Sequence, residues 1–177
     1  MGDLTFTLHS LCVHPVESCA GIAVKHSLLI ETGLEFDRQW MVVDAQGGHL
    51  SQRELPQLAL VEVTLRHDDL RLRAPGMLAL HVSLDRVEDA CRVTVHGEPV
   101  AAYDMGALAA QWFSDYLGRP VRLVRFDPAQ ARVSDTRWTG ELLAQAAFAD
   151  GFSLLVTSTA SLAELNRRRQ LDGQAAV

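Results

Sequence analysis

The sequence predicts a mainly β protein: a small antiparallel β-barrel with one amphipathic helix, followed by the first strand and helix of a second, incomplete unit. Three observations predict it. Through residue 103 short apolar runs alternate with turn residues at roughly 8–12-residue spacing, the pattern of a barrel or sandwich. From Asp104 the apolar residues Leu108, Trp112, Phe113 and Tyr116 recur at helical spacing. Further on, an uncharged apolar run at 152–156 leads into the helix-opening Ser158-Thr159-Ala160-Ser161.

Taken in order, residues 4–13 mix Thr, Phe, Leu and Val before a turn at His14-Pro15, and 22–30 is a second apolar-rich run bounded by Gly21 and Gly33. Residues 38–44 then meet Ala45-Gln46-Gly47-Gly48, with His49-Leu50-Ser51-Gln52-Arg53 as the returning arm of a hairpin. A second hairpin joins 59–66 to 70–73 through His67-Asp68-Asp69. Residues 78–84, 91–96 and 99–103 supply further strands, with Gly97-Glu98 as the turn between the last two. Asp104 is a suitable N-cap for a helix over 105–117 lying across one opening of the barrel, and Gly118 with Pro120 ends it. Strand character returns at 121–126, and 127–139 is a polar surface connection broken by Pro128 and Gly140. The run 152–156 reads as a buried strand entering a capped helix, a place that suits a phosphate or another polar ligand. Nothing after that helix pairs with the strand, so the second unit reads as unfinished, with missing sequence the favoured reason.

The chain has 177 residues, with 16 Lys and Arg against 22 Asp and Glu, a formal charge of −6. Net acidity with scattered cations argues against a nucleic-acid partner, and the run Arg167-Arg168-Arg169 reads as a solvated helix face. No apolar stretch approaches the roughly 20 residues of a membrane span. The acidic start, Met1-Gly2-Asp3, does not read as an export signal, so a cytoplasmic location is expected. The 3 cysteines, Cys12, Cys19 and Cys91, have neither disulfide parity nor metal-site spacing and read as reduced thiols. His14, His67 and His96 likewise lack metal-ligand spacing.

Several segments carry a resemblance. His14-Pro15-Val16-Glu17-Ser18-Cys19-Ala20-Gly21 resembles the Pro-Val-Lys-Ser-Cys-x-Gly opening of the MOSC N-terminal β-barrel family. Residues 33–44 are similar to its Gly-Leu-x-x-Asp-Arg-x-Trp-Met-Val segment, and 50–56 to its Thr-x-Arg-x-x-Pro segment. Phe148-Ala149-Asp150-Gly151-Phe152, together with 157–166, resembles the start of the MOSC domain itself. The resemblance implies a barrel domain at 1–126, a connection at 127–147 and the beginning of a MOSC domain at 148–177. It further implies a molybdenum cofactor held between the two units of a longer protein, whose metal-ligating cysteine lies downstream of this chain. Such a protein reduces N-oxygenated small molecules with electrons from an iron-sulfur, flavin or haem donor protein. A sulfur-transfer protein, or a non-catalytic β-barrel module that binds a substrate or partner, are the alternatives.

The resemblance implies cofactor contacts at Ser18, Arg38, Arg53, Ser158, Thr159 and Ser161. A guanidinium fork at Arg38 suits the cofactor's phosphate, and an ion pair with Asp37 or Glu35 is the plainer reading. Ser18 offers a hydroxyl and an N–H, but it is also a natural turn residue. Arg53 is the weaker candidate, since an arginine on a hairpin arm is more often solvated. Ser158, Thr159 and Ser161 either face the pterin or simply cap their helix. Cys19 reads as a packing thiol, no metal ligand being assigned within the chain. One departure stands out: Glu17 occupies the place of the family's lysine, where a carboxylate repels a phosphate, unless it turns outward or pairs with an arginine such as Arg53.

Overall fold

The computed structural model describes residues 5–177. Leu4, first residue of the strand expected at 4–13, and Met1 to Asp3, which bear on the export reading, lie outside them. Four short strands open the fold: β1 (Leu11–Val13), β2 (Ile22–Val24), β3 (Leu29–Ile30) and β4 (Gly33–Leu34). Then come β5 (Trp40–Asp44), β6 (Glu62–Leu65), β7 (Asp69–Arg73), β8 (Leu80–Ser83), β9 (Ala90–Val95) and β10 (Glu98–Asp104). Helix α1 (Ala107–Leu117), strand β11 (Val121–Phe126), the one-turn α2 (Thr136–Thr139) and α3 (Thr159–Leu171) complete it.

The strands are antiparallel, as expected, but they form no closed barrel. They make a four-stranded sheet in the order β5-β11-β10-β9, a meander β6-β7-β8, and two-stranded ribbons β1-β2 and β3-β4. Closure fails where the expected long strands break. The run 22–30 splits into β2 and β3, and the arm 49–53 contributes a single antiparallel bridge, Val43 to His49, instead of a strand. Asp44 explains the break, because its Oδ1 accepts the Gln46 and Gly48 N–H groups at 2.8 Å each and turns the chain sharply.

Within the four-stranded sheet β5 and β11 are buried on both faces, which is why Trp40-Met41-Val42-Val43 reads as an unbroken apolar run, whereas β9 at the edge alternates buried and exposed residues. Trp40 and Val42 of β5, with Val121 and Leu123 of β11, face a core shared with the meander and α1. Met41 and Val43, with Val124 and Phe126, face a second core of β9 and β10 residues that also takes in Ala147 and Phe148. Phe126 and Phe148 meet edge to face, centroids 5.5 Å apart.

Helix α1 packs along β11 and reaches β8, so it lies between the two larger sheets and not across a barrel opening. It starts two residues later than a cap at Asp104 requires. Gly106 is the N-cap, and Asp104 instead accepts the Gly106 N–H at 2.8 Å and the Arg122 guanidinium at 3.0 Å. The buried face is Ala109, Trp112 and Phe113, while Leu108 is exposed.

The largest correction concerns the run 152–156. It is no strand, and Phe152, Leu154, Leu155 and Val156 are exposed. A strand needs a neighbour for its N–H and C=O groups, and among the described residues none pairs with this segment. The helix after it forms as expected, with the Ser158 hydroxyl accepting the Ser161 N–H at 3.0 Å, yet it buries no side chain.

Candidate functional site

Two segments far apart in sequence lie side by side. The turn after β1 runs along the residues entering β5: Arg38 N–H donates to His14 O at 2.8 Å, Trp40 N–H to Pro15 O at 3.0 Å, and Glu17 N–H to Trp40 O at 2.8 Å. Trp40, fully buried, anchors this arrangement. At the other end of the turn, a Cβ at Gly21 would lie 2.6 Å from Cys12 Sγ and 2.7 Å from the His14 ring, so any larger residue there must push those side chains aside.

Three non-glycine residues in these segments have left-handed backbones: Ser18 (φ 64°), Phe36 (φ 66°) and Arg38 (φ 50°). Such conformations are uncommon and cost free energy, and they concentrate where a site must be shaped. At Arg38 the strain is held by Asp37, which is buried at 4% exposure. Its carboxylate accepts the His14 N–H at 2.6 Å and one Arg38 guanidinium N–H. The remaining Arg38 donors stay partly open, with the side chain 25% exposed. Among the described residues neither the Ser18 N–H nor its hydroxyl has a protein hydrogen-bond partner. A guanidinium whose geometry is fixed by a buried carboxylate and whose other donors stay open suits an anion such as a phosphate, and the open N–H and O–H of Ser18 are donors of the same kind in the turn whose first residues pair with Arg38 and Trp40.

Glu17 takes neither of the alternatives the sequence left open. It does not turn outward or pair with Arg53, but packs against His49, Oε2 to Nε2 at 3.7 Å, with side chains 17% and 12% exposed. His49 in turn meets the His96 ring edge to face at 5.7 Å, and His96 Nε2 lies 2.9 Å from Asp150. Arg53 is exposed and stands 3.8 Å from that same Asp150. The Asp150 carboxyl is held below its ordinary value, chiefly by the His96 hydrogen bond and further by the charges of His96, Arg53 and His49.

The segment 147–150 is drawn in by a residue that sequence reading missed. Arg132 donates to the carbonyls of Ala147 (2.7 Å), Ala149 (2.6 Å) and Asp150 (3.1 Å), and burial lowers its own pKa. Phe148 N–H then donates to Arg38 O at 3.0 Å. The polar character of 127–139 pointed to a surface loop, and nothing local marks Arg132 as different. Ser158, Thr159 and Ser161 are exposed at the start of α3, and no hydrogen bond among the described residues joins them to Arg38 or Ser18. Cys19 is buried and its thiol pKa is raised, first by burial and then by the Glu17 charge, as befits a packing thiol.

A cavity of about 330 Å³ opens beside Asp150, lined by His96, Glu98, Arg132, Ser134 and Asp135 among others. None of the six residues implied as cofactor contacts lines it, and its carboxylates outnumber its cations, so it is a poor anion site.

Comparison with known proteins adds to this geometry. The MOSC N-terminal beta barrel domain family matches residues 5–120. The chain belongs to that family. It is 36% identical over 176 residues to mitochondrial amidoxime reducing component 2 of Bos taurus, covering 93% of this chain and 52% of that protein. It is 32% identical to mitochondrial amidoxime-reducing component 1 of Homo sapiens, covering 92% of this chain and 51% of that protein. It is also 29% identical to the molybdenum cofactor sulfurase of Homo sapiens, over 90% of this chain and 19% of that protein. The chain thus spans about half the length of the amidoxime-reducing components it matches. A solution structure from Bordetella bronchiseptica is 32% identical, covers 64% of this chain and 97% of that one, and has a TM-score of 0.49. No helix among the described residues is long and apolar enough to cross a membrane.

Proposed function

We propose that this MOSC-family chain is the N-terminal part of a longer molybdenum-cofactor protein that reduces N-oxygenated small molecules. The observation that carries the proposal is the Arg38 guanidinium, oriented by buried Asp37 and only partly engaged, together with the open donors of Ser18, both residues having left-handed backbones. That donor set fits the terminal phosphate of a pyranopterin. When bound, the cofactor supplies the two-electron redox chemistry. This chain's residues hold the phosphate: Ser18 through its N–H and hydroxyl, Arg38 through the guanidinium N–H groups that Asp37 leaves free.

On this reading residues 1–126 are the barrel domain, 127–147 the connection and 148–177 the beginning of the MOSC domain. Arg53, Ser158, Thr159 and Ser161, exposed here, are the further cofactor contacts of this reading. Electrons come from a separate iron-sulfur, flavin or haem protein. A sulfur-transfer role is the second reading, supported by the similarity to the sulfurases. Reduction is placed first because the bovine amidoxime-reducing relative is 36% identical over 93% of this chain and the human sulfurase 29% over 90%.

The test is to express the complete reading frame, measure molybdenum per chain, and assay reduction of an N-hydroxylated amidine with a chemical electron donor. The proposal expects near-stoichiometric metal and conversion to the amidine. A folded, metal-free protein with no conversion overturns it.

A further inference from the structure

Residues two apart in a strand point the same way, so Cys12 of β1 and His14, just past its end, share a face while Val13 between them is buried. The Cys12 side chain is exposed, and its Sγ lies 3.8 Å from His14 Nε2. On the ring's other side Nδ1 lies 3.3 Å from the carbonyl oxygen of Cys19. A carbonyl only accepts, so in the neutral ring Nδ1 carries the proton and Nε2 turns its lone pair to the thiol. The backbone of His14 is fixed as well: its N–H donates to the Asp37 carboxylate at 2.6 Å, and its carbonyl accepts the Arg38 N–H at 2.8 Å. Thiol and ring meet over Gly21, where a Cβ would lie 2.6 Å from Sγ and 2.8 Å from Nε2. A thiol, a base within its reach and an acceptor that orients the base make up the arrangement of an activated nucleophile. The base is needed, because burial first and then the Asp37 charge raise the Cys12 pKa against the opposing charge of Arg38, while the thiolate is the reactive form. Cys19 is buried, and Cys91 is half-buried with no hydrogen-bonded base among the described residues.

We infer that Cys12 and His14 form a nucleophile–base pair, which makes Cys12 a site of covalent addition to small, uncharged α,β-unsaturated carbonyl compounds. His14 Nε2 takes the Sγ proton as sulfur bonds to the β-carbon of the alkene. The π electrons of the C=C bond move onto the carbonyl, and the resulting enolate collects a proton at its α-carbon from the His14 imidazolium. The product is a thioether; nothing leaves, and no oxidant or reductant enters. The class follows from what the pair offers. A polarizable sulfur prefers an activated alkene carbon, and the one proton that His14 takes is the one proton the adduct requires. The charges nearest the thiol, Asp37 and Arg38, are paired with each other and offset, which favours an electrophile without charge.

Acrylamide is the probe, and the readout is the rate of adduct formation at each cysteine of the 177-residue chain, followed by peptide mass spectrometry. At pH 7.5 Cys12 is expected to react at least about tenfold faster than both Cys91 and free N-acetylcysteine. His14→Gln is expected to remove that advantage. Gly21→Ala, whose added Cβ parts the thiol from the ring while keeping both, is expected to slow Cys12 in the same direction. The Cys91 rate, unchanged in either variant, reports that the fold is intact, and Gly21→Ala decides the matter where His14→Gln fails to fold. At pH 10.5 the thiol ionises without help, so the gap between wild type and His14→Gln is expected to close. Cys12 reacting no faster than N-acetylcysteine at pH 7.5 overturns the pair. So does an unchanged Cys12 rate in the folded variants, or a His14→Gln deficit that persists undiminished at pH 10.5, which a packing role for the ring would produce.

Discussion

The backbone N–H of Phe148 donates to the carbonyl of Arg38 at 3.0 Å, across more than a hundred residues of chain. Arg38 has a left-handed backbone, and its own N–H is held by His14 O, so both of its peptide groups are fixed by other segments. The burial of Phe148 against Phe126 makes that bond durable, because breaking it means pulling an aromatic ring out of the second core. The guanidinium that faces the proposed anion is therefore positioned by packing outside its own motif.

Arg132 should control this coupling. Its three bonds to the carbonyls of 147, 149 and 150 come from a side chain half-removed from water. Arg132→Met keeps the stem and loses those bonds, and is expected to cost about 1.5–3 kcal/mol. Hydrogen exchange at the Phe148 amide should accelerate by more than tenfold, and an unchanged rate would show that the aromatic contact alone holds the segment.

Asp37 should be worth more to the fold than its neighbours suggest. Asp37→Ala leaves the His14 N–H without its acceptor and Arg38 without its partner, an expected loss of about 2–4 kcal/mol in urea denaturation. Asp37→Asn retains one acceptor for His14 and is expected to lose less than half as much. Equal losses would mean that the charge, and not the hydrogen bond to His14, is what matters.

The elements legible in sequence were those whose signal is local. The alternation of 70–73 and 91–96, the apolar run at β5 and the capping serine of α3 all mark real elements. Ser18 and Arg38 were singled out through the family resemblance, and their role in the site stays a proposal. What escaped was set at long range. Whether Glu17 meets an arginine or a histidine depends on where the 44–49 loop turns, and the clamp at Arg132 depends on a segment 15 or more residues away. The run 152–156 misled because its apolarity fits a strand, while pairing is a property of neighbours that composition does not contain.

Acid should loosen the junction through Asp150. Its folded pKa lies below the ordinary 3.8, so the charged form adds stability that is present above that ordinary value and lost as pH falls through the folded one. The group is largely solvent-exposed, so the effect is small in free energy. Between pH 5 and 3 the melting temperature of wild type should fall further than that of Asp150→Asn. Parallel curves would show that the His96–Asp150 pair contributes nothing to the folded state.

The cofactor content of the complete protein tests the account most directly. Arg38→Gln removes the charge-assisted grip on the phosphate, typically worth about 1.5–3 kcal/mol, and Glu17→Lys removes the repulsion and adds a cation to the same turn. Pterin released and measured by its fluorescence after oxidation should fall in folded Arg38→Gln and rise in Glu17→Lys relative to wild type. Unchanged pterin content in both variants would contradict the assignment of this turn to the cofactor's phosphate.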